Sequence, residues 1–147
     1  MSQQIEKLKK LQLLVGNTPT VKLTCKFEDK IRTILAKYET FNFTGSIKDR
    51  MAMQILKSAY DLNTIDANDT IVEASSGNTA IAFAAMGAFL GHKVEIYMPD
   101  WLSEERKRVL RFYGAKLHEI SVKDGGFLKC IELAEQKSQK NGYFGPK

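Results

Sequence analysis

Cysteine is scarce in this chain of 147 residues: Cys25 and Cys130 stand far apart, and no other is present. That excludes a disulfide scaffold and a CxxC metal or redox pair, and it fits a reduced setting inside the cell. Histidine is equally scarce. His92 and His118 lack metal-ligand spacing, so no metal site is expected and both read as structural or surface residues. The longest apolar run, residues 80–90, falls short of the ~20 residues a bilayer span needs. The polar start Met1-Ser2-Gln3-Gln4-Ile5-Glu6 has no signal-peptide core. A cytoplasmic protein without membrane contact is the expectation. Linkers, internal repeats and low-complexity tracts are missing too. Acidic residues are the minority, 17 against 22 basic ones, for a net charge of +5. This excess does not point to nucleic acid, because Arg106, Lys107, Arg108 and Arg111 follow Glu104 and Glu105, and no nucleic-acid motif accompanies them. Solvated helix faces account for them, as for Lys7, Lys9 and Lys10 near the start. The P-loop spacing GxxxxGK[ST] and serine-nucleophile patterns are absent around Gly45-Ser46-Ile47-Lys48.

What is present is an ordinary globular balance, 44% hydrophobic and 27% charged, enough for one domain with a core. An amphipathic helix is expected over residues 3–14, with Ile5, Leu8 and Leu11 on one face, stopped by Gly16-Asn17-Thr18-Pro19. Residues 20–23 and 31–39 read as strands around the charged turn Glu28-Asp29-Lys30. Helices and strands then alternate: a helix from Lys48 to about Asp61, a strand over 70–73, a helix over 78–90 closed by Gly91, and a strand over 93–98. Ser103 is placed to cap a helix ending at Gly114, followed by a strand over 116–122 and a helix over 127–139 that stops at Asn141-Gly142. The alternation predicts an α/β fold with a parallel sheet. Gly87 is expected to allow close helix packing, and Trp101 and Tyr113 to sit in the core or at its rim.

The chain is organised around Asn42-Phe43-Thr44-Gly45-Ser46-Ile47-Lys48-Asp49-Arg50. Thr44 and Ser46 are suitable N-caps, Gly45 permits a tight turn, and Lys48 falls in the first helical turn. A cation is disfavoured there by the partial positive charge of the free N–H groups. The same field favours a neutral amine, the form that attacks a carbonyl to make a Schiff base. Taken alone, Lys48 also admits a plainer reading, a solvated lysine compensated by Asp49.

A second motif shifts the balance. Glu73-Ala74-Ser75-Ser76-Gly77-Asn78-Thr79-Ala80 follows the buried run Thr70-Ile71-Val72 and opens an alanine-rich helix. Hydroxyls, an amide and unpaired N–H groups at such a turn bind carboxylate or phosphate, although an ordinary helix start has the same look. A reactive amine in one turn and an anion cradle in the next are expected together at the carboxyl edge of a parallel sheet.

These two motifs, with Gly16-Asn17-Thr18-Pro19, Met98-Pro99 and Glu105-Arg106 in matching order, resemble the pyridoxal-phosphate enzymes of the cysteine synthase and cystathionine β-synthase family, with the tryptophan-synthase-β-like fold. The resemblance covers nearly the whole chain. It implies that Lys48 holds pyridoxal 5'-phosphate as an internal aldimine and later moves the substrate's α-proton. It implies further that Asn78 hydrogen-bonds the cofactor's ring hydroxyl, and that Ser75, Ser76, Gly77, Asn78 and Thr79 close on the α-carboxylate of an amino-acid substrate. A β-replacement or β-elimination on a serine- or cysteine-type amino acid is the implied reaction, in a full-length enzyme that is a homodimer.

Three departures stand out: Asn42-Phe43 where the family usually has Asn-Pro, Ala80 where it usually has glycine after Ser-Gly-Asn-Thr, and a length about half that of family members. The resemblance therefore implies a three-layer smaller domain over residues 42–147 and an N-terminal arm, residues 1–41, that belongs to the larger domain of a full-length enzyme and exposes apolar surface in isolation. The second glycine-rich loop, which holds the cofactor phosphate in the family, has no counterpart here, so the chain alone is expected to be inactive. The alternative is a free-standing, catalytically silent domain that binds an amino acid or a partner protein.

Overall fold

A computed structural model describes residues 2–146. Helix α1 (Ser2–Gln12) leads into an antiparallel hairpin, β1 (Thr20–Phe27) and β2 (Lys30–Lys37), and a short 3₁₀ turn over Glu39–Phe41 leads on toward α2 (Lys48–Asp61). The rest alternates: β3 (Thr70–Ala74), α3 (Asn78–Leu90), β4 (Val94–Pro99), α4 (Glu104–Phe112), β5 (Lys116–Ile120), α5 (Gly126–Ser138) and β6 (Tyr143–Phe144). The strands β5-β4-β3-β6 form one parallel sheet in that order, with Ile71 opposite Val94 and Tyr97 opposite His118. The expected three-layer parallel α/β architecture is present.

Alternation along the strands divides the core. Ile71, Val94, Ile96 and Met98 face the layer of α1, α2, α3 and α4, while Val72 and Tyr97 face α5 through Cys130 and Ala134. Helix α3 is buried on most of its surface, and its close seat on the sheet depends on Gly87. A β-carbon there would lie 2.5 Å from Val94 Cγ2 and 3.2 Å from Ile71 Cδ1. Gly91 ends α3 in the left-handed conformation, φ +95°.

One expectation needs correction, and one strand was missed. The strand expected over 31–39 ends at Lys37 and among the described residues pairs with β1, so the Lys48 turn, expected to be a strand-to-helix turn at the carboxyl edge of the parallel sheet, does not leave a strand of that sheet. Period-2 patterning identifies a strand but says nothing about its partner. The missed strand is β6; its two residues pair with Thr70 and Ile71 of β3 and are too short for any pattern to register. Helix α1 contributes Leu8 and Leu11 to the main core, whereas Ile5 is exposed. Of the first 41 residues it is the hairpin that stands apart, with Leu23, Ile31, Ile34 and Leu35 all exposed.

Helix α2 runs opposite to the sheet strands. Its C-terminal end is fixed at the amino edge of the sheet, where the Tyr60 hydroxyl meets His92 Nε2 at 2.5 Å and His92 Nδ1 bonds the Asp69 carbonyl at 2.8 Å. Burial holds His92 below its ordinary value and pushes the Tyr60 phenol up to about 12. A helix of 14 residues spans about 21 Å, so Lys48, at the other end of α2, reaches the carboxyl edge.

Candidate active site

The carboxyl edge also carries the topological switch of the sheet. From β3 the chain steps through α3 and α4 to β5 on one face; it then returns through α5 on the other face to place β6 on the opposite side of β3. Ligands of open α/β sheets bind where neighbouring strands diverge in this way, outside their carboxyl ends. The loop of residues 75–77 leaves β3 at that point and opens α3 at Asn78.

Nothing caps α3. Gly77 occupies the cap position with no side-chain hydrogen bond to the helix, and a β-carbon built on it meets nothing within 4 Å. Among the described residues the N–H groups of Asn78, Thr79 and Ala80 have no hydrogen-bond partner, so the start of α3 keeps its affinity for an anion. Asn78 is exposed, Ser75, Ser76, Gly77 and Thr79 are half-buried, and the Asn78 amide has no hydrogen-bond partner among the described residues. The loop is shaped by two contacts: the Gly77 N–H donates to Ser75 Oγ at 3.4 Å, and Arg106 Nη1 donates to the Ser76 carbonyl at 3.2 Å. Upstream, Glu73 is half-buried without a hydrogen-bond partner among the described residues, and burial pushes its carboxyl up to about 7.

The Lys48 turn is more heavily braced than its sequence showed. Ile47, not Thr44 or Ser46, takes the cap position of α2, although Ser46 Oγ still accepts the Lys48 N–H at 3.1 Å. Thr44 instead binds Asp49: its N–H donates to Asp49 Oδ2 at 2.6 Å and its hydroxyl to Oδ1. Asp49 is fully buried by this, so it is the anchor of the turn and not a surface counter-charge for Lys48. Lys48 itself is exposed at the first position of the helix.

A second brace surrounds Glu39. Its carboxylate takes Arg50 Nε at 2.7 Å and Nη2 at 3.0 Å, the Thr18 hydroxyl at 2.7 Å and the Asn42 amide at 2.8 Å. Asn42 Oδ1 in turn accepts the Gly16 N–H at 2.8 Å. The fork of Arg50 is the main reason the Glu39 carboxyl is held down at about 2. The residues Gly16, Thr18, Asn42 and Arg50, picked out as motif positions, thus converge on one acid that the sequence did not single out. Only their arrival in a single network would have revealed Glu39, because its partners lie between 3 and 21 residues away.

The residues present fit pyridoxal phosphate in part. An exposed lysine at the start of α2 and an uncapped, exposed asparagine at the start of α3 share the carboxyl edge, with open space over Gly77. Among the described residues no three His, Cys, Asp or Glu side chains are grouped to hold a metal ion. No helix among them is long and apolar enough to cross a membrane.

Proteins of known sequence and solved structure resemble the chain along most of its length. A cysteine synthase of Aquifex aeolicus is 41% identical, over 88% of this chain and 42% of the relative. A cysteine synthase B of Pseudomonas syringae is 42% identical, over 83% of this chain and 72% of the relative. The crystal structure of a hydrogen sulfide-producing enzyme of Fusobacterium nucleatum is 51% identical and superposes with a TM-score of 0.92, over 97% of this chain and 43% of that one. The chain thus spans about two fifths of the length of the first and third of these proteins. Residues 11–146 match the family of pyridoxal-phosphate dependent enzymes. With the parallel sheet, the lysine turn and the asparagine loop arranged as described, the chain belongs to that pyridoxal-phosphate dependent family.

Proposed function

We propose that this chain carries the amino-acid-binding part of a cysteine synthase-like site, one that performs β-replacement or β-elimination on a serine- or cysteine-type amino acid. Two helix starts support the reading: the Lys48 turn, at the end of α2 opposite the amino edge of the sheet, and the uncapped asparagine loop that leaves the carboxyl end of β3 beside the switch point. Lys48 would hold the cofactor through its amine, and Asn78 would bond the ring hydroxyl. When bound, pyridoxal phosphate supplies an electron sink for the electrons left at the amino acid's α-carbon.

The chain's own residues do the rest. The N–H groups at the start of α3, with Ser75, Ser76 and Thr79, take the α-carboxylate, for which a helix N-terminus is suited. The Lys48 amine is the base placed to carry the α-proton. Asp49 and Glu39 hold the turn on which Lys48 stands and do not touch substrate. Residues 42–147 form the smaller domain in this reading, and the β1–β2 hairpin packs into the larger domain of a full-length protein, which covers its apolar faces.

A second reading, a catalytically silent amino-acid-binding domain, has one observation in its favour: residues 75–79, which would take the carboxylate, all lie within this chain at an uncapped helix start. Borohydride reduction after incubation with pyridoxal phosphate, followed by peptide mass spectrometry, separates the two. A phosphopyridoxyl group concentrated on Lys48 is expected, and K48A should lose it. Label spread evenly over the surface lysines would refute the Lys48 assignment and leave the silent domain.

A further inference from the structure

The Ser76–Gly77 peptide is held from both ends. Arg106 Nη1 donates to the Ser76 carbonyl at 3.2 Å, while the Gly77 N–H turns back to Ser75 Oγ at 3.4 Å. This orientation matters for an anion. If the peptide flipped, a carbonyl dipole would swing from α4 toward the free N–H groups of α3 and oppose any carboxylate arriving there.

Arg106 is able to act as a fixed clamp because the residue after it is immobilised. Lys107 is buried, 4% exposed, and donates to the Asp100 carbonyl at 2.7 Å while pairing with Glu119 at 2.7 Å and Glu104 at 3.1 Å. These contacts tie the first turn of α4 to the end of β4 and to β5. Arg106 itself is exposed and pairs with no carboxylate among the described residues, so the Ser76 carbonyl is the acceptor the structure gives it. Arg108, on the same helix and also exposed, has no hydrogen-bond partner among the described residues.

We propose that Arg106 is a positioning residue for the amino-acid cradle: it holds the Ser76 carbonyl toward α4 and so keeps the start of α3 open to a carboxylate. The inference rests on the carboxylate reading given above, and the experiment separates the two. Amide exchange of Gly77, Asn78 and Thr79 is followed by NMR in the unmodified 147-residue chain, R106Q, R106K and R108Q, each with and without L-serine, and urea midpoints are measured alongside.

Loss of one hydrogen bond of ordinary strength should speed exchange of the Gly77 amide, the one of the three that is hydrogen-bonded, by about fivefold in R106Q, with partial rescue in R106K and none of the effect in R108Q. L-Serine should slow exchange at these amides in the unmodified chain and do so more weakly in R106Q. The urea midpoint should move little, which a general loss of structure would not allow. Equal exchange in R106Q and R108Q would overturn the clamp, whatever L-serine does. Faster exchange in R106Q, with no response to L-serine in any variant, would uphold the clamp and overturn the carboxylate reading.

Discussion

Replacing Asp49 tests whether the lysine turn is anchored from below. Asp49 is fully buried and accepts both the N–H of Thr44, at 2.6 Å, and its hydroxyl. A hydrogen bond to a charged group contributes about 1.5–3 kcal/mol, so two would give about 3–6 kcal/mol if they added. They do not add in full, because removing the acid also removes the cost of burying it, and water reaches half-buried Thr44. A net loss of about 2–4 kcal/mol is expected for D49A. D49N keeps one acceptor and should lose about 1–2 kcal/mol. Urea unfolding with an unchanged slope measures both. A double-mutant cycle with T44V should return a coupling of about 1–3 kcal/mol. If D49A lies within about 0.5 kcal/mol of the unmodified chain, as an ordinary surface change would, the anchor does not exist.

Helix α1 should behave as part of the core: L11A is expected to cost about 2–4 kcal/mol in urea unfolding, and L13A, at an exposed position, less than about 0.5. Equal effects would mean that α1 is not docked. Folded Glu73 keeps its proton up to about 7 while the unfolded chain releases it near 4.5, so stability falls as pH rises between these values and stays lower above them. E73Q should therefore stabilise the chain by about 1–3 kcal/mol near pH 8 and by nothing near pH 4; the same gain at both pH values would show that the carboxylate charge is not the cause. His92 has the opposite sign, since its depressed value makes stability fall as pH drops below 6.5, and E73Q should leave that acid limb in place. An acid limb that disappeared in E73Q would place its origin in Glu73.

Much of the α/β unit was legible because its signals are local. Helix α3 was expected over residues 78–90 and is found there, since a polar turn opens it and Gly91 closes it within one continuous apolar run. The two motif stretches were legible for the same reason, as strings of residues whose chemistry is unusual at a helix start. What could not be read was set by distance. The partner of β2 depends on which strand lies beside it in space, and β6 exists only because β3 has a free side. Thr44 was expected to cap α2 and instead anchors to Asp49, a choice between two acceptors that only the path of the turn decides. The Glu39 network was invisible for the reason that makes it effective, since it gathers separate segments onto one carboxylate.

The hairpin that stands away from the sheet has a colloidal consequence. As a two-stranded ribbon it has two free backbone edges and exposed apolar residues along its length, the form in which chains add to one another strand by strand. Its residues 20–37 also include Lys22, Lys26, Lys30, Arg32 and Lys37 against Glu28 and Asp29, a balance of five minus two, or +3. Two such ribbons repel before their edges can meet. That repulsion reaches about 10 Å in 0.1 M salt but only about 3 Å in 1 M, so ionic strength governs whether these edges come together, while the buried sheet beneath is indifferent to it.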